Sequence, residues 1–211
     1  MRIIKFDHRI HSTNRAAELV LSAYGLNSAE NNQTTKTIMG LIESGNNFLG
    51  HENMYVSIEN GDISGLIVCY AGKSGGTIQA LIRLLTELRL KELLNLIILN
   101  AELLHTGYTP ELTQDDFYVS LVAVDEKKRG KGLGTKLIQK AIEIAKEKGC
   151  TKAVLDVDSD NGAARALYEK LGFRIKDENP KSVKGAIPSE IFTMEYSIGN
   201  RVDDMRHRIK A

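Results

Sequence analysis

The sequence predicts an α/β fold, a mixed sheet with helices on both faces, and three observations carry that prediction. Residues 117–124 form a continuous apolar run, the pattern of a strand buried inside a sheet. A charged, glycine-rich loop follows, and then a helical pattern over 133–148 with Leu133, Leu137, Ile138, Ala141, Ile142 and Ala145 on one face. Residues 152–157 read as the next strand, so the second half runs strand, loop, helix, strand, helix, strand. That order is a βαβ unit within a larger sheet.

The remaining elements can be assigned in chain order. Residues 2–7 alternate loosely and predict a first strand. Residues 12–24 predict a helix with Ser12 as N-cap, Ala16, Leu19, Val20 and Ala23 at a 3.6 period, and Gly25 as stop. A weaker helix over 28–43 has Ile38, Leu41 and Ile42 as its apolar face. Strands at 54–59 and 63–70 flank Asn60-Gly61, a hairpin signal because both central residues of a tight turn must tolerate positive φ. The run GKSGG at 72–76 reads as a flexible joint before a leucine-rich helical stretch, 77–105. Its stripes, one through Leu81, Leu84 and Leu88 and one through Leu90, Leu94 and Ile97, are out of phase, which predicts a break near Arg89. A short helix over 162–171 carries Ala164, Leu167, Tyr168 and Leu171 on one face and stops at Gly172. Strands at 173–176 and 191–197 complete the set. Residues 1–199 are expected to form one domain with a helical insertion at about 75–113, followed by a polar tail at 200–211.

Bulk composition excludes several classes. The 211 residues carry a formal net charge of +1, so nothing calls for nucleic acid or an anionic membrane as partner. The N-terminus has charges every few residues and no apolar core of a secretory leader. Residues 93–99 are the most apolar stretch and are far too short to span a bilayer. Cys69 and Cys150 stand alone, without metal-binding spacing, and read as reduced, structural residues of a cytoplasmic protein. No metal is expected.

The chemistry concentrates in Arg129-Gly130-Lys131-Gly132-Leu133-Gly134, between the buried strand and a helix N-terminus. Alternate glycines clear Cβ atoms from the backbone, the first helical turn offers unpaired N–H groups, and Arg129 and Lys131 add positive charge. These features describe a phosphate site. It is not a P-loop, because Thr135 rather than Lys follows the last glycine, and Gly72-Lys73-Ser74 has Ile67 where a P-loop glycine belongs. Nor is it a dinucleotide fingerprint, whose sixth position would be Gly and here is Thr135.

The loop, with Val124 before it, resembles the V-x-x-x-x-RGxGxG form of the R/Q-x-x-G-x-G/A motif of the GNAT superfamily of N-acetyltransferases. Asn161, Ala164, Leu167-Tyr168 and Gly172-Phe173 are similar to the N-x-x-A-x-x-LY-x-x-x-GF segment of the same superfamily. The resemblance is strong over 117–176 and rests on element order alone in the N-terminal half. It implies acetyl-CoA as co-substrate and a primary amine as acceptor, in a small molecule or at a protein N-terminus or lysine. It implies that the strand before the loop splays from the next strand and that the backbones of Val122 and Val124 bond the pantetheine arm. The amides of Arg129, Gly130, Lys131, Gly132, Leu133 and Gly134, with Thr135, would hold the pyrophosphate, Asn161 would bond the cofactor arm and is equally a candidate helix N-cap, and Ala164 is a further cofactor-binding candidate.

Tyr168 is then the candidate general acid, since a phenol with a pKa near 10 can hydrogen-bond and protonate a thiolate whose conjugate acid lies near 8.5. Asp156 is the candidate general base, matching a carboxylate proposed for ribosomal-protein N-terminal acetyltransferases; Asp115 and Asp116 are rivals. The enzyme reading is acyl transfer in a ternary complex, and the competing one is a non-catalytic acyl-CoA sensor on the same fold. The apolar stripes of 77–105 would roof the acceptor pocket or bury themselves in a homodimer.

Overall fold

The computed structural model describes residues 1–26, 28, 32–72, 112–177, 181–183 and 189–199. The predicted helices of 77–105, nearly all of the insertion and the tail at 200–211 lie outside the described residues.

Asn60 and Gly61, at φ 54° and 84°, turn the chain between β2 (Met54–Glu59) and β3 (Asp62–Ala71), which pair antiparallel as the hairpin signal requires. β1 (Arg2–Lys5) lies antiparallel on the outer edge of β2, and β4 (Asp116–Val124) lies antiparallel on β3. The chain then crosses over through α3 (Leu133–Glu147) to β5 (Lys152–Asp158), parallel to β4, the expected βαβ unit. Beyond it come α4 (Gly162–Lys170), β6 (Arg174–Ile175), β7 (Lys181–Val183) and β8 (Ser189–Ser197). β8 runs antiparallel to β5 and carries β6 and β7 on its other edge. The strand order is β1-β2-β3-β4-β5-β8-β6.

Two helices cover one face of this sheet. α1 (Thr13–Ala23) begins at Ser12, whose Oγ accepts the Arg15 N–H at 3.1 Å. α2 (Asn32–Ser44) covers the described part of the second predicted helix, and residues 29–31 of that prediction lie outside the described residues. Ala16, Val20, Ile38 and Ile42 pack there against Val56, Leu66, Val68, Leu121 and Ala123. α3 covers the opposite face, where Leu137, Ile138 and Ala141 meet Ile67, Phe117, Val119 and Leu155. Each Val, Leu, Ile or Phe side chain among them contributes about 1.5–3 kcal/mol when fully buried. With both faces covered, β3 and β4 have no solvent side, and their apolar runs are continuous. β7 was not foreseen, since three residues are too few to show alternation.

β3, β4 and α3 come closest at Gly65. A Cβ there would lie 2.9 Å from the Ala123 carbonyl oxygen, 3.2 Å from Leu137 Cδ1 and 3.3 Å from Leu133 Cδ2. Gly65→Ala is therefore expected to destabilise the fold by about 1–3 kcal/mol, because the obstructing oxygen is backbone. Gly40→Ala, on the exposed side of α2 where a Cβ meets nothing, is expected to stabilise by about 0.5–1 kcal/mol. Urea midpoints of the two variants moving in the same direction would contradict this packing.

Candidate functional site

β4 and β5 pair only where Asp116–Val119 faces Lys152–Leu155. β4 continues to Val124 and β5 to Asp158, but past Val119 no described strand pairs with the β5-facing edge of β4. A bulge marks the point of separation. Val68 faces Leu121 and Cys69 faces Val119, so Ser120 is an extra residue, and its hydroxyl donates back to the Val68 carbonyl at 3.3 Å. Bulges bend a strand and increase its twist. This one also re-aims the backbone. The Asp125 N–H donates to the Ser64 carbonyl at 3.0 Å, so residues 121, 123 and 125 direct their backbone groups to β3. By alternation, the N–H and C=O of Val122 and Val124 face the gap. The Val124 carbonyl is met there by Arg129 Nε at 3.2 Å.

The glycine loop closes one end of the gap. Asp125 opens it by capping a 3₁₀ turn, Glu126–Lys128, with its Oδ1 accepting the Lys127 N–H at 2.8 Å. Gly130 and Gly132 stand at φ 74° and 76°, and a Cβ on either would meet nothing, so backbone conformation rather than crowding requires glycine. No side chain caps α3; its first bond runs from the Lys136 N–H to the Gly132 carbonyl at 3.2 Å. The Arg129 amide, expected to join the phosphate site, instead donates to the Glu126 carbonyl at 3.2 Å because it closes the 3₁₀ turn, whereas among the described residues nothing accepts from the amides of Gly130, Lys131, Gly132, Leu133, Gly134 and Thr135. Six free donors at the positive end of a helix dipole, beside exposed Arg129 and Lys131, suit a pyrophosphate.

Arg15, in the first turn of α1, reaches this loop. Its Nε donates to the Ile63 carbonyl at 3.3 Å, Nη1 to Glu18 at 3.0 Å, and Nη2 pairs with Asp125. Burial works against the charge of Asp125, but the Lys127 amide and the Arg15 guanidinium outweigh it and hold the carboxyl below its ordinary value.

α4 packs on the α3 side of the sheet. Asn161 caps it, its Oδ1 accepting the Ala164 N–H at 3.1 Å, which leaves the side-chain amide N–H groups for other partners. Gly172, at φ 96°, ends the helix, and the Phe173 N–H returns to the Tyr168 carbonyl at 3.0 Å. The same closure sets the Tyr168 and Phe173 rings 6.0 Å apart, the physical content of the LY-x-x-x-GF spacing. Burial pushes the Tyr168 phenol up, so it stays protonated through the neutral range. Its hydroxyl has no hydrogen-bond partner among the described residues. Leu167 Cδ1 lies 3.5 Å from the position of a Cβ on Gly134, so α4 leans on the first turn of α3.

Asp156 comes from the other face of the sheet. Leu155 and Val157 belong to the core under α3, so Asp156, between them, points toward the α1 and α2 side. Tyr118 Oη donates to its Oδ2 at 2.6 Å and Thr193 Oγ1 to its Oδ1 at 2.8 Å. Tyr70 lies beside Tyr118 with the rings tilted and their centroids 5.7 Å apart, and burial, helped by the Asp156 charge, pushes its phenol up to about 12. Sequence reasoning missed Tyr118 and Thr193. The available signal was a single phenol inside an apolar strand, but its partner depends on the register with β5. The rivals Asp115 and Asp116 sit at the far end of β4, about 20 Å along the strand from Val122. The buried Asp116 carboxylate accepts the Thr113 N–H at 2.7 Å and so serves the fold, while the Asp115 backbone carbonyl takes the Thr151 N–H at 2.8 Å. Cys69 and Cys150 are buried and unbridged.

The family model described as the acetyltransferase (GNAT) family matches residues 42–173. N-alpha-acetyltransferase 30 of Schizosaccharomyces pombe is 39% identical over 56 residues, 26% of this chain and 37% of that protein. N-alpha-acetyltransferase 30 of Xenopus laevis is 46% identical over 56 residues, 26% of this chain and 20% of that protein. The matched segment thus spans well under half the length of these relatives. An N-acetyltransferase structure from Staphylococcus aureus Mu50 superposes with a TM-score of 0.72 at 18% identity, over 93% of this chain and 100% of that one. At that identity the likeness is one of fold.

The Asp125 geometry has a pH signature. Its folded pKa lies below the unfolded value near 4, so its stabilisation is complete above that value and is lost as pH falls through the folded pKa. Wild type is expected to melt higher than Asp125→Ala by a constant margin above pH 5 and by a shrinking margin below pH 4. A margin independent of pH down to 2.5 would mean that the carboxylate charge is not engaged.

Proposed function

The chain belongs to the GNAT family of acetyltransferases, and from that premise we propose that it moves an acetyl group from acetyl-CoA to a primary amine by direct attack in a ternary complex. The observation that carries this reading is the end of β4–β5 pairing at Val119, which leaves a backbone-lined gap leading to six free amides at the start of α3. An extended amide-containing chain with a pyrophosphate at one end matches that sequence of donors and acceptors.

Acetyl-CoA, when bound, supplies an acyl carbon that gains a bond to nitrogen as its bond to sulfur breaks. Val122 and Val124 would bond the extended arm through main-chain groups, and the Val122 N–H would stabilise negative charge on the acyl oxygen. The amides of Gly130 to Thr135, with Arg129 and Lys131, would hold the pyrophosphate, and Asn161 would donate to the arm from its free amide. Asp156 would take the proton lost by the amine, directly or through one water, with Tyr118 and Thr193 fixing its two oxygens. Tyr168 would give its phenolic proton to the departing sulfur and regain one from solvent. Asp156 and Tyr168 approach the sheet from opposite faces, which suits a carbon attacked on one side and relieved of its leaving group on the other. A covalent acetyl-enzyme route has little support, because burial pushes the Cys69 thiol up to about 12.

Acetyl-CoA with a panel of amines, including peptide N-termini, lysine and small amines, is expected to release free thiol in step with acetylated product. Initial-rate lines should intersect rather than run parallel. Gly132→Glu is expected to abolish acetyl-CoA binding and its thermal shift, since a carboxylate enters the pyrophosphate site. Tyr168→Phe is expected to lower kcat by about 10²–10⁴-fold with little change in acetyl-CoA affinity. Wild-type turnover in Tyr168→Phe would remove it as the acid, and tight binding without thiol release for any amine would favour the sensor reading.

A further inference from the structure

Lys127, Lys128, Arg129 and Lys131 give the loop a positive potential, yet it begins with a carboxylate. Asp125 has a structural task there. Its N–H holds the chain to β3 through the Ser64 carbonyl, and its Oδ1 receives the Lys127 N–H that starts the turn. Its charge nevertheless has the wrong sign beside a pyrophosphate. At effective dielectric constants between those of a protein surface and water, one unrelieved charge at about 8–10 Å weakens binding of an anion by about two- to thirtyfold.

We propose that Arg15 is a positioning residue for the pyrophosphate-binding loop: it neutralises Asp125, so that this carboxylate shapes the turn without repelling the anionic co-substrate. The inference rests on the reading of the loop given above. Arg15 occupies the first turn of α1, where the helix dipole disfavours a cation, and its i,i+3 pair with Glu18 uses only Nη1 of the guanidinium. Its guanidinium is divided among the Ile63 carbonyl, Glu18 and Asp125, which ties α1, β3 and the end of β4 together. The Arg15 and Asp125 side chains are only 25% and 20% exposed, so solvent screens the pair weakly. Asp62 Oδ2 lies 4.0 Å from Arg15 Nε. Without Arg15, Glu18, Asp62 and Asp125 would lose their shared guanidinium, leaving Asp125 with only the Lys127 amide and the neighbouring lysine charges. Lys128 does not substitute for it, being paired with Glu59.

The test compares wild type with Arg15→Gln, Arg15→Lys, Asp125→Asn and the double variant Arg15→Gln/Asp125→Asn. Each is measured for equilibrium binding of acetyl-CoA at two ionic strengths, and for kcat and KM with acetyl-CoA and with S-acetylpantetheine, which lacks the pyrophosphate. Arg15→Gln is expected to weaken acetyl-CoA about tenfold, less at high salt, with kcat at saturation within about twofold and kcat/KM for S-acetylpantetheine unchanged. Arg15→Lys keeps most of the affinity because it keeps the charge. Asp125→Asn binds at least as tightly as wild type, and the double variant recovers what Arg15→Gln lost. The proposal is overturned if Arg15→Gln binds acetyl-CoA like wild type, or loses both substrates equally. It is also overturned if Asp125→Asn is as weak as Arg15→Gln, since geometry and not charge would then be at stake. Wild type failing to bind acetyl-CoA would instead remove the reading of the loop itself, and this inference with it.

Discussion

The separation of β4 from β5 after Val119 is the constraint from which the rest of the site follows. Buried backbone N–H and C=O groups are costly when unpaired. A pair of strands that parts inside a sheet must therefore offer its freed groups to something else. The extra residue at Ser120 makes the parting local: it bends β4 and turns the backbone groups of Val122 and Val124 outward while β4 stays paired with β3 from Gly65 to Ala71. The gap is thus a consequence of register, with no side chain dedicated to forming it.

The surroundings follow the same economy. At the end of the gap, the free polar groups are main-chain amides, held in place by Gly132 in a left-handed conformation and by the Asp125 turn. On the far side, one helix closure at Gly172 fixes both Tyr168 and Phe173. Phe173 is buried against Tyr196 at 5.5 Å, so the position of Tyr168 derives from core packing as well as from its own helix. The Leu167 contact with α3 then links the helix of Tyr168 to the glycine turn.

Chemistry is divided between the two faces of the sheet. Along β5, strand alternation sends Leu155 and Val157 into the core and Asp156 to the opposite side. There Tyr118 from β4 and Thr193 from β8 hold its carboxylate from both flanks, so three strands determine one side-chain orientation. A single sheet therefore offers a hydroxyl-braced carboxylate on one face and a protonated phenol on the other, with the gap between β4 and β5 as the passage between them.

Much of this was legible in the sequence because it is local. The hairpin at Asn60-Gly61, the caps at Ser12 and Asn161, the glycine loop before α3 and the closure at Gly172 each depend on a few neighbouring φ/ψ values and hydrogen bonds that residue type dictates. The apolar run of β4 likewise announces burial on both faces. What the tertiary structure alone decided are relations between distant segments: the bulge at Ser120, the partnership of Tyr118 and Thr193 with Asp156, the short β7, and Arg15 meeting Asp125 across 110 residues. The physical reason is that periodicity and propensity act within a turn or a strand. Register, and with it the choice of which polar groups face one another, is settled only when strands from different parts of the chain pack together.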